Sequence, residues 1–401
     1  MTNAFEQLLY IYGDAICARE THLPEDADRD EIAKKAIEQN VLPIIYFNVF
    51  GEDNQNRYYP LVMQALAINE RKMFFLNKLL KEMKENGIFC CVLKGCTLAP
   101  LYASPDLRIS GDVDLLINPK DEKRVIDFLE KRNFKIKARG KDGQHFNARH
   151  EKAGLFEVHV SLFDKEFDKY ILKGKFKTNE PYEVVETSSG ESVNTLGKND
   201  GLYFVTAHMI KHFVKDGLGL RQISDWLLYV EKYKDVLDME KFDITIKELG
   251  FEKFINAMYT VGKKYFGIDM QTREVSPDDI LSDMEEGGSF GHGDSDRANY
   301  KIKLTDSLYG KSEGKKKLSF IIRLLRIAFP DRRTLIKKGF LRKNSSFLSI
   351  PFAWIKRWVN VIFSGNLKKI SSVAGTYDVN EEKLEKRQHL LKKYRFIKND
   401  E

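Results

Sequence analysis

The apolar residues in the first part of the chain recur every three or four positions, which is the spacing of helices that bury one face. This pattern covers residues 3–50 and then residues 58–86, the longest helical candidate. Within 58–86 we expect one broad buried face, made of Leu61, Ala65, Ile68, Phe74, Leu76, Leu79 and Leu80. Gly87 comes directly afterwards, and a glycine in that place commonly ends a helix. The pattern predicts an N-terminal helical region over residues 1–86.

Over residues 87–197 the pattern changes to that of β-strands. Short runs rich in strand-forming residues are separated by turn residues and by one helical stretch, 119–132. The strand candidates are residues 88–93, 108–117, 134–138, 155–160 and 182–195. The polar stretch 140–154 is either a strand pair flanking a site or a loop over a ligand. With helical residues before and after this segment, the pattern predicts an α+β fold.

Two acids lie within the second strand candidate. Because strand side chains alternate between faces, Asp112 and Asp114 project from the same side, next to apolar strand residues. Two carboxylates so placed repel each other unless a cation lies between them. Mg²⁺ is a hard cation that carboxylates and phosphates bind together. The plain alternative is a pair of solvated acids at the end of a strand.

A glycine turn and a third acid favour the interpretation that a cation binds between the two aspartates. Gly95 ends the first strand candidate, and N–H groups in such a turn bind phosphate. Glu157 and His159 share one face of the strand candidate 155–160. A strand, a glycine turn, a strand with paired acids and a strand with a third acid follow one another in the order of the nucleotidyltransferase superfamily fold.

The resemblance extends to particular residues. The residues that carry it are Leu93-Lys94-Gly95, Leu98, Tyr102, Arg108, Asp112-Val-Asp114-Leu-Leu-Ile and Glu157-Val-His159. They resemble a bacterial family of uncharacterised nucleotidyltransferases, from about residue 30 to about residue 230. The resemblance implies a mixed β-sheet with flanking helices. It also implies that Asp112, Asp114 and Glu157 hold two metal ions, Mg²⁺ or alternatively Mn²⁺, and act in catalysis.

The same resemblance implies where the nucleoside triphosphate binds. The nucleotide-binding candidates are Lys94, Gly95, Cys96, Arg108 and Gly111. Lys94 and Arg108 would neutralise charge on the leaving pyrophosphate. The alternatives are a surface lysine and an arginine paired with Asp106. Cys96 stands where the superfamily usually has serine, so a hydroxyl contact to phosphate is missing.

Residues 198–275 return to helical spacing, and we expect them to close the active site. His208 and His212 are four residues apart on one helix, where they are either metal ligands or packed histidines. Arg221 and Asp225 have the same spacing, which predicts an ion pair that also organises the far wall of the site. The full set of acceptor or cleft candidates is His145, His159, His208, His212, Arg221 and Asp225.

The end of the chain differs from the rest in charge. Residues 276–314 predict a Gly- and Asp-rich loop, and residues 315–401 a basic amphipathic helical tail. Residues 311–401 carry 23 Lys and Arg against 8 Asp and Glu, a net of +15 within a total of +7. Residues 315–370 also contain Trp and Phe, which fits helices lying on an anionic membrane surface. A bundle packed on the catalytic part is the alternative, and nucleic acid is not an expected partner.

Composition limits the remaining choices. The 401 residues allow two or more domains, and there is no apolar run of membrane-spanning length. Four cysteines without a framework pattern and no secretory signal predict a cytoplasmic protein, peripheral at the inner face of the membrane if the tail binds lipid.

The expected function is metal-dependent transfer of a nucleotidyl group from a nucleoside triphosphate to an unidentified hydroxyl-bearing acceptor, such as a small molecule or glycan precursor. The alternatives are a protein-modifying, AMP-adding or toxin-like nucleotidyltransferase, and a non-catalytic module that binds nucleotides or a membrane surface. All three acids are present, which argues against the last alternative.

Overall fold

The computed structural model divides the chain into two compact units, residues 1–292 with 390–401, and residues 293–389. The residues it describes are 1–137, 143–187, 190–215, 217–269, 274–288, 329–330, 332–337, 339–342, 346, 349–363 and 381–397.

The first unit begins with the predicted helices. They are α1 (Asn3–Ile16), α2 (Arg29–Glu38), α3 (Leu42–Phe50) and α4 (Tyr59–Glu85). The predicted single buried face of α4 is wrong in part, because Leu61, Ile68 and Phe74 are exposed. Only the second half of this helix, through Leu76 and Leu79, packs on the sheet.

A five-stranded sheet follows, in the order β1-β2-β5-β4-β3. Its strands are β1 (Cys90–Val92), β2 (Asp112–Ile117), β3 (Lys135–Lys137), β4 (His145–His150) and β5 (Gly154–His159). β2 and β5 run parallel, and the other neighbouring pairs run antiparallel. The sheet is therefore mixed, as the resemblance implied, and the polar stretch before β5 contributes a strand.

Helix α5 (Glu122–Glu130) and helix α4 cover one face of this sheet. The apolar residues of the strands project toward them and are fully buried: Val113, Leu115, Ile117, Phe146, Ala148, Phe156 and Val158. The residues between these positions, among them both aspartates and Glu157, project from the opposite face. Because alternate residues of a strand face opposite sides, one face of the sheet forms the apolar core and the other face is polar.

The polar face leads into the helical part of the unit. After a short helix, α6 (Lys165–Phe167), come the hairpin strands β6 (Glu183–Glu186) and β7 (Ser192–Thr195). The helices are α7 (Lys198–Lys215), α8 (Leu220–Tyr233), α9 (Met239–Leu249), α10 (Glu252–Val261) and α11 (Asp278–Gly287). Helix α11 corrects the predicted loop, since Ile280, Leu281 and Met284 form a buried stripe at helical spacing. The rest of that loop from residue 289 lies outside the described residues.

Residues 390–397 return to the first unit. Tyr394 and Phe396 are buried and pack on Phe213 and Phe254. Tyr394 also donates a hydrogen bond to Asp279 of α11, at 2.8 Å.

The second unit contains the described part of the basic tail up to residue 389. Its helices are α12 (Arg332–Lys337), α13 (Ile350–Phe363) and most of α14 (Glu381–Lys393). A small core joins Leu335, Leu341 and Ala353. Half of the predicted membrane segment 315–370 lies outside the described residues. Among the described residues, no helix has the length and apolar character needed to cross a membrane.

Candidate active site

Three carboxylates converge on the polar face of the sheet. In the parallel register Asp114 lies opposite Glu157, and Asp112 precedes Asp114 by two residues on the same face. One ligand oxygen from each of the three lies within 4.8 Å of the others. The structure therefore brings together the predicted acids through backbone pairing of β2 with β5.

Asp114 is the most enclosed of the three acids. Lys94 Nζ lies 3.2 Å from one carboxylate oxygen, and His159 Nε2 lies 3.0 Å from the other. Burial by itself would raise the pKa of Asp114, but the charge of Lys94 and the His159 hydrogen bond outweigh burial and hold that pKa well below its ordinary value. Asp114 is thus ionised at neutral pH.

Glu157 has the opposite environment. It accepts no hydrogen bond from the described residues, and the nearest imidazole nitrogens, those of His145 and His159, are 3.7 and 3.9 Å away. Burial, and then repulsion from Asp114 and Asp112, raise the pKa of Glu157 to about 7. Asp114 is therefore the acid of the three that has a close lysine partner among the described residues, and Glu157 has none.

The donor set fits divalent metal. Carboxylate oxygens are ligands of hard cations such as Mg²⁺, and a cation among the three acids would relieve the repulsion that raises the pKa of Glu157. Buried side-chain atoms on the same face also lack a hydrogen-bond partner within the described part of the chain, namely His145 Nδ1, His159 Nδ1 and Asn147 Oδ1. These unsatisfied atoms are expected where a ligand belongs.

The glycine turn follows β1, which pairs with β2, the strand that carries the two aspartates. Gly95 has φ +80°, a left-handed conformation that favours glycine. The backbone N–H groups of Gly95, Cys96 and Thr97 donate to no oxygen of the described residues. The Cys96 side chain is buried, and burial raises the pKa of its thiol to about 11, so it stays neutral. The turn offers phosphate its backbone N–H groups.

A buried arginine holds the turn in place. Arg108 donates to both oxygens of Asp225, at 2.8 and 2.6 Å, and to the carbonyl oxygen of Gly95 at 3.1 Å. Tyr102 donates to Asp225 at 2.7 Å. A bidentate arginine pair of this kind is rigid and specific in geometry. Two elements that are far apart in sequence, the turn and helix α8, are thereby locked together.

This network corrects two sequence expectations. The predicted ion pair of Arg221 with Asp225 is wrong, because Asp225 binds Arg108 while Arg221 donates to the carbonyl oxygen of Ile109. The alternative of Arg108 with Asp106 is wrong for the same reason. A spacing of four residues predicts only pairs within one helix. It cannot show that Asp225 pairs with Arg108, which is more than a hundred residues away in the sequence. A direct phosphate contact of Arg108 remains a prediction.

Lys94 is also not a surface residue. Its side chain is 15% exposed, and besides Asp114 it contacts His208 Nε2 at 3.4 Å. Gly111, just before β2, is exposed and has open space beside it. Asp164, a further acid near the site, accepts a hydrogen bond from the backbone N–H of Phe167 at 2.9 Å.

Helix α7 forms the wall opposite the acids, across a cavity of about 290 Å³. Its His208 and His212 stack edge to face at 4.5 Å between ring centres. Burial and the nearby Lys94 charge lower the pKa of His208 well below its ordinary value. The clusters of His, Asp and Glu suited to metal in the described residues do not include these two histidines. His208 and His212 pack against each other, which is one of the two alternatives that the sequence left open.

Sequence reasoning missed Lys211, which also lines this cavity. Its ammonium group contacts the Gln144 side-chain oxygen at 3.3 Å, and no carboxylate lies within ion-pair distance of it in the described part of the chain. Lys211 follows His208 by three residues and so shares its helix face, which is the signal that would have found it.

Comparison with known protein families identifies the family of this chain. A family model described as uncharacterised nucleotidyltransferase matches residues 25–267, well over half of the chain. The chain belongs to this family, and the protein is a nucleotidyltransferase with a mixed α+β fold. Among curated proteins nothing matches.

Two solved structures are similar at low identity. The lincosamide antibiotic adenylyltransferase LnuA, in its lincomycin-bound form, is 16% identical, with 40% of this chain and 95% of that chain covered and a TM-score of 0.28. An antigenic nucleotidyltransferase-like protein from Paracoccidioides brasiliensis is 11% identical, with 50% and 94% covered and a TM-score of 0.30.

Proposed function

We propose that this nucleotidyltransferase is metal-dependent and moves a nucleotidyl group from a nucleoside triphosphate to a hydroxyl-bearing acceptor. The observation that carries the proposal is the convergence of Asp112, Asp114 and Glu157 within 4.8 Å, beside a glycine turn whose N–H groups donate to no oxygen of the described residues. Acids of this kind clamp two ions about 4 Å apart in in-line phosphoryl displacements.

The three acids would hold two Mg²⁺ ions, with Mn²⁺ as the alternative. When bound, such ions neutralise phosphate charge and favour the ionised form of the acceptor hydroxyl. Asp112 and Asp114 would hold the nucleotide-side ion, and Glu157 would complete the ligands of the ion on the acceptor side.

The phosphates would bind on the positive side of the cavity. The backbone N–H groups of the Gly95 turn donate to the β- and γ-phosphate oxygens. Lys94 and Lys211 line the same cavity, and their ammonium groups contact Asp114 and Gln144 respectively. Two cations facing the leaving pyrophosphate stabilise the charge that develops on it. Helix α7 and the rest of residues 198–275 would close the site over the bound nucleotide.

The proposal is tested with Asp112→Asn and Asp114→Asn, and with the exposed Asp235→Asn as control. Thermal unfolding is measured with Mg²⁺ and each nucleoside triphosphate in turn. Wild type and Asp235→Asn should be stabilised by the preferred nucleotide, since a ligand that binds only the folded state raises its stability. The two site variants should show little shift. Equal shifts in all four proteins would overturn the site assignment.

Glu157→Gln separates the roles of the acids. If Glu157 completes only the acceptor-side position, the variant should bind triphosphate within about tenfold of wild type, roughly 1.4 kcal/mol. Turnover, followed as pyrophosphate release with an acceptor, should fall by at least about a hundredfold. A joint loss of binding and turnover would instead make Glu157 a ligand of the nucleotide-side ion.

We further propose that the basic tail places the enzyme on anionic membrane surfaces. On α13 the apolar side chains Phe352, Ile355 and Val359 are 73%, 60% and 47% exposed and follow helical spacing, and Lys356 lies beside them. Apolar area and basic charge act together at a lipid interface.

The lipid proposal is tested by co-sedimentation with vesicles that contain or lack anionic lipid. Wild type should pellet with anionic vesicles at low salt, and Phe352→Ser with Ile355→Ser should reduce pelleting. Ile244→Ser, which removes an exposed apolar residue of the first unit, serves as the matched control. Wild type that stays in the supernatant at low salt would leave the tail as a packed bundle.

A further inference from the structure

A second group of side chains able to bind a metal ion overlaps the three acids at Glu157. His145 of β4 and His159 of β5 join Glu157, with one ligand atom from each within 4.8 Å of the others. The antiparallel register places His145 directly opposite His159, and Glu157 shares their face two residues earlier. Two adjacent strands in a buried sheet fix these positions, so the set is preformed.

The three side chains converge but do not bond to one another. The Nε2 atoms of His145 and His159 lie 3.7 and 3.9 Å from the same oxygen of Glu157, beyond hydrogen-bond distance. A direct hydrogen bond would bring that pair to about 2.8 Å. Among the described residues His145 makes no hydrogen bond at either ring nitrogen. An imidazole and a carboxylate that face each other at this separation leave room for an ion between them.

The separation agrees with metal ligation. Ligand atoms about 2.1 Å from a tetrahedral ion lie about 3.4 Å from one another. The observed distances exceed this by a few tenths of an ångström, which side-chain rotation can supply. His159 Nε2 also contacts Asp114, at 3.0 Å. An ion bound to His159 would replace this hydrogen bond, and Asp114 would keep its pairing with Lys94.

We propose that His145, Glu157 and His159 form a site for a transition-metal ion of the Zn²⁺, Co²⁺ or Mn²⁺ class. Two imidazoles and a carboxylate suit these ions, whereas Mg²⁺ and Ca²⁺ prefer oxygen ligands alone. Glu157 belongs to both sets, so its two oxygens link a hard position at the aspartates to a softer one at the histidines. The inference rests on the proposed function only where it assigns Glu157 to both metal positions. The histidine site binds metal whether or not the protein transfers nucleotides.

The test uses the full chain freed of metal and titrated with Co²⁺, whose visible absorption reports nitrogen ligation. Calorimetry with Zn²⁺ measures affinity in parallel. His145→Ala should lose the absorption bands and weaken Zn²⁺ binding by at least about a hundredfold, since it removes a direct ligand. His22→Ala, at an exposed histidine, should behave as wild type. Asp112→Asn should keep the Co²⁺ bands, because Asp112 belongs to the other set.

Two results would overturn the inference. One is a wild-type protein without Co²⁺ bands, and the other is bands that survive both His145→Ala and His145→Gln. Neither result affects the stabilisation by Mg²⁺ and triphosphate, which tests the proposed function separately. Loss of that stabilisation with intact Co²⁺ bands would overturn the proposed function and leave the histidine site standing. Unfolding curves for each variant confirm that it folds.

Discussion

The two faces of the five-stranded sheet are made by the same strands and carry opposite chemistry. On one face Val113, Phe156 and Val158 are at most 3% exposed and pack against α4 and α5. On the other face the intervening positions hold acids and histidines around a cavity. Burying apolar area stabilises the fold by about 25 cal/mol per Å², whereas clustering like charges opposes folding. The comparison teaches that one face stabilises the protein, while the other, which we propose as the binding site, carries a charge cluster that opposes folding.

Lys94 shows how the polar face is held in the absence of ligand. It pairs with Asp114 inside the cavity and leaves Glu157 without a positive contact. Three carboxylates share this face, and among the described residues Lys94 is the lysine that forms an ion pair with one of them. Substitutions on the two faces should accordingly change stability in opposite directions.

The largest effect is expected from the apolar face. Phe156 is fully buried and contacts Phe134 edge to face at 5.3 Å between ring centres. Phe156→Ala should lower the free energy of unfolding by about 3–5 kcal/mol, because it removes transfer energy and leaves a cavity. Denaturant titration in EDTA measures this loss. A change below about 1 kcal/mol would mean that this face is not the core.

The next effect concerns the support of the glycine turn. Asp225→Ala leaves the Arg108 guanidinium buried without its counter-charge, which typically costs about 3–5 kcal/mol. Relaxation and water entry should place the loss at the lower end of that range. The same titration measures it, and Arg221→Ala, which removes no ion pair with Asp225, is the control. A loss no larger than that of the control would show that the pair does not stabilise the turn.

A pH-dependent effect follows from Glu157. Its pKa is about 7 in the folded protein and ordinarily 4.5, so between these values the folded state binds more protons than the unfolded state. The contribution of Glu157 to stability is therefore greatest below pH 4.5 and is lost as pH rises through 7. From pH 5 to pH 8 in EDTA, wild type should lose about 1–3 kcal/mol relative to Glu157→Gln. Parallel curves for the two proteins would show that Glu157 is not perturbed.

The smallest effect is expected from Asp112→Asn in the same metal-free conditions. Removing one of the three clustered carboxylate charges should raise the free energy of unfolding by up to about 1 kcal/mol, as is common at functional sites. Unfolding at low and high salt checks the cause, because screening should shrink the gain. A loss above about 1 kcal/mol would mean that Asp112 supports the fold.

The sequence predicted those parts of this arrangement that depend on local pattern. Asp112 and Asp114 could be placed on one strand face because their spacing is two, and α4 could be placed because its pattern is helical. The Arg108–Asp225 pair could not be predicted, because its two residues meet only when α8 packs against the glycine turn. Helix α11 was missed because three buried apolar residues outweigh a composition rich in acids and glycine.

The return of residues 390–396 to the first unit has a consequence for the order of folding. Phe213 and Phe254 are covered by Tyr394 and Phe396, which leave the ribosome only after the whole of residues 293–389 has been made. The first unit therefore cannot complete this aromatic packing when only its residues 1–292 have been synthesised. Its nascent form exposes these rings for the time needed to translate about a hundred residues, some 5–20 s at ordinary elongation rates. A chaperone that recognises aromatic surface would meet this protein at that stage rather than at its first strands.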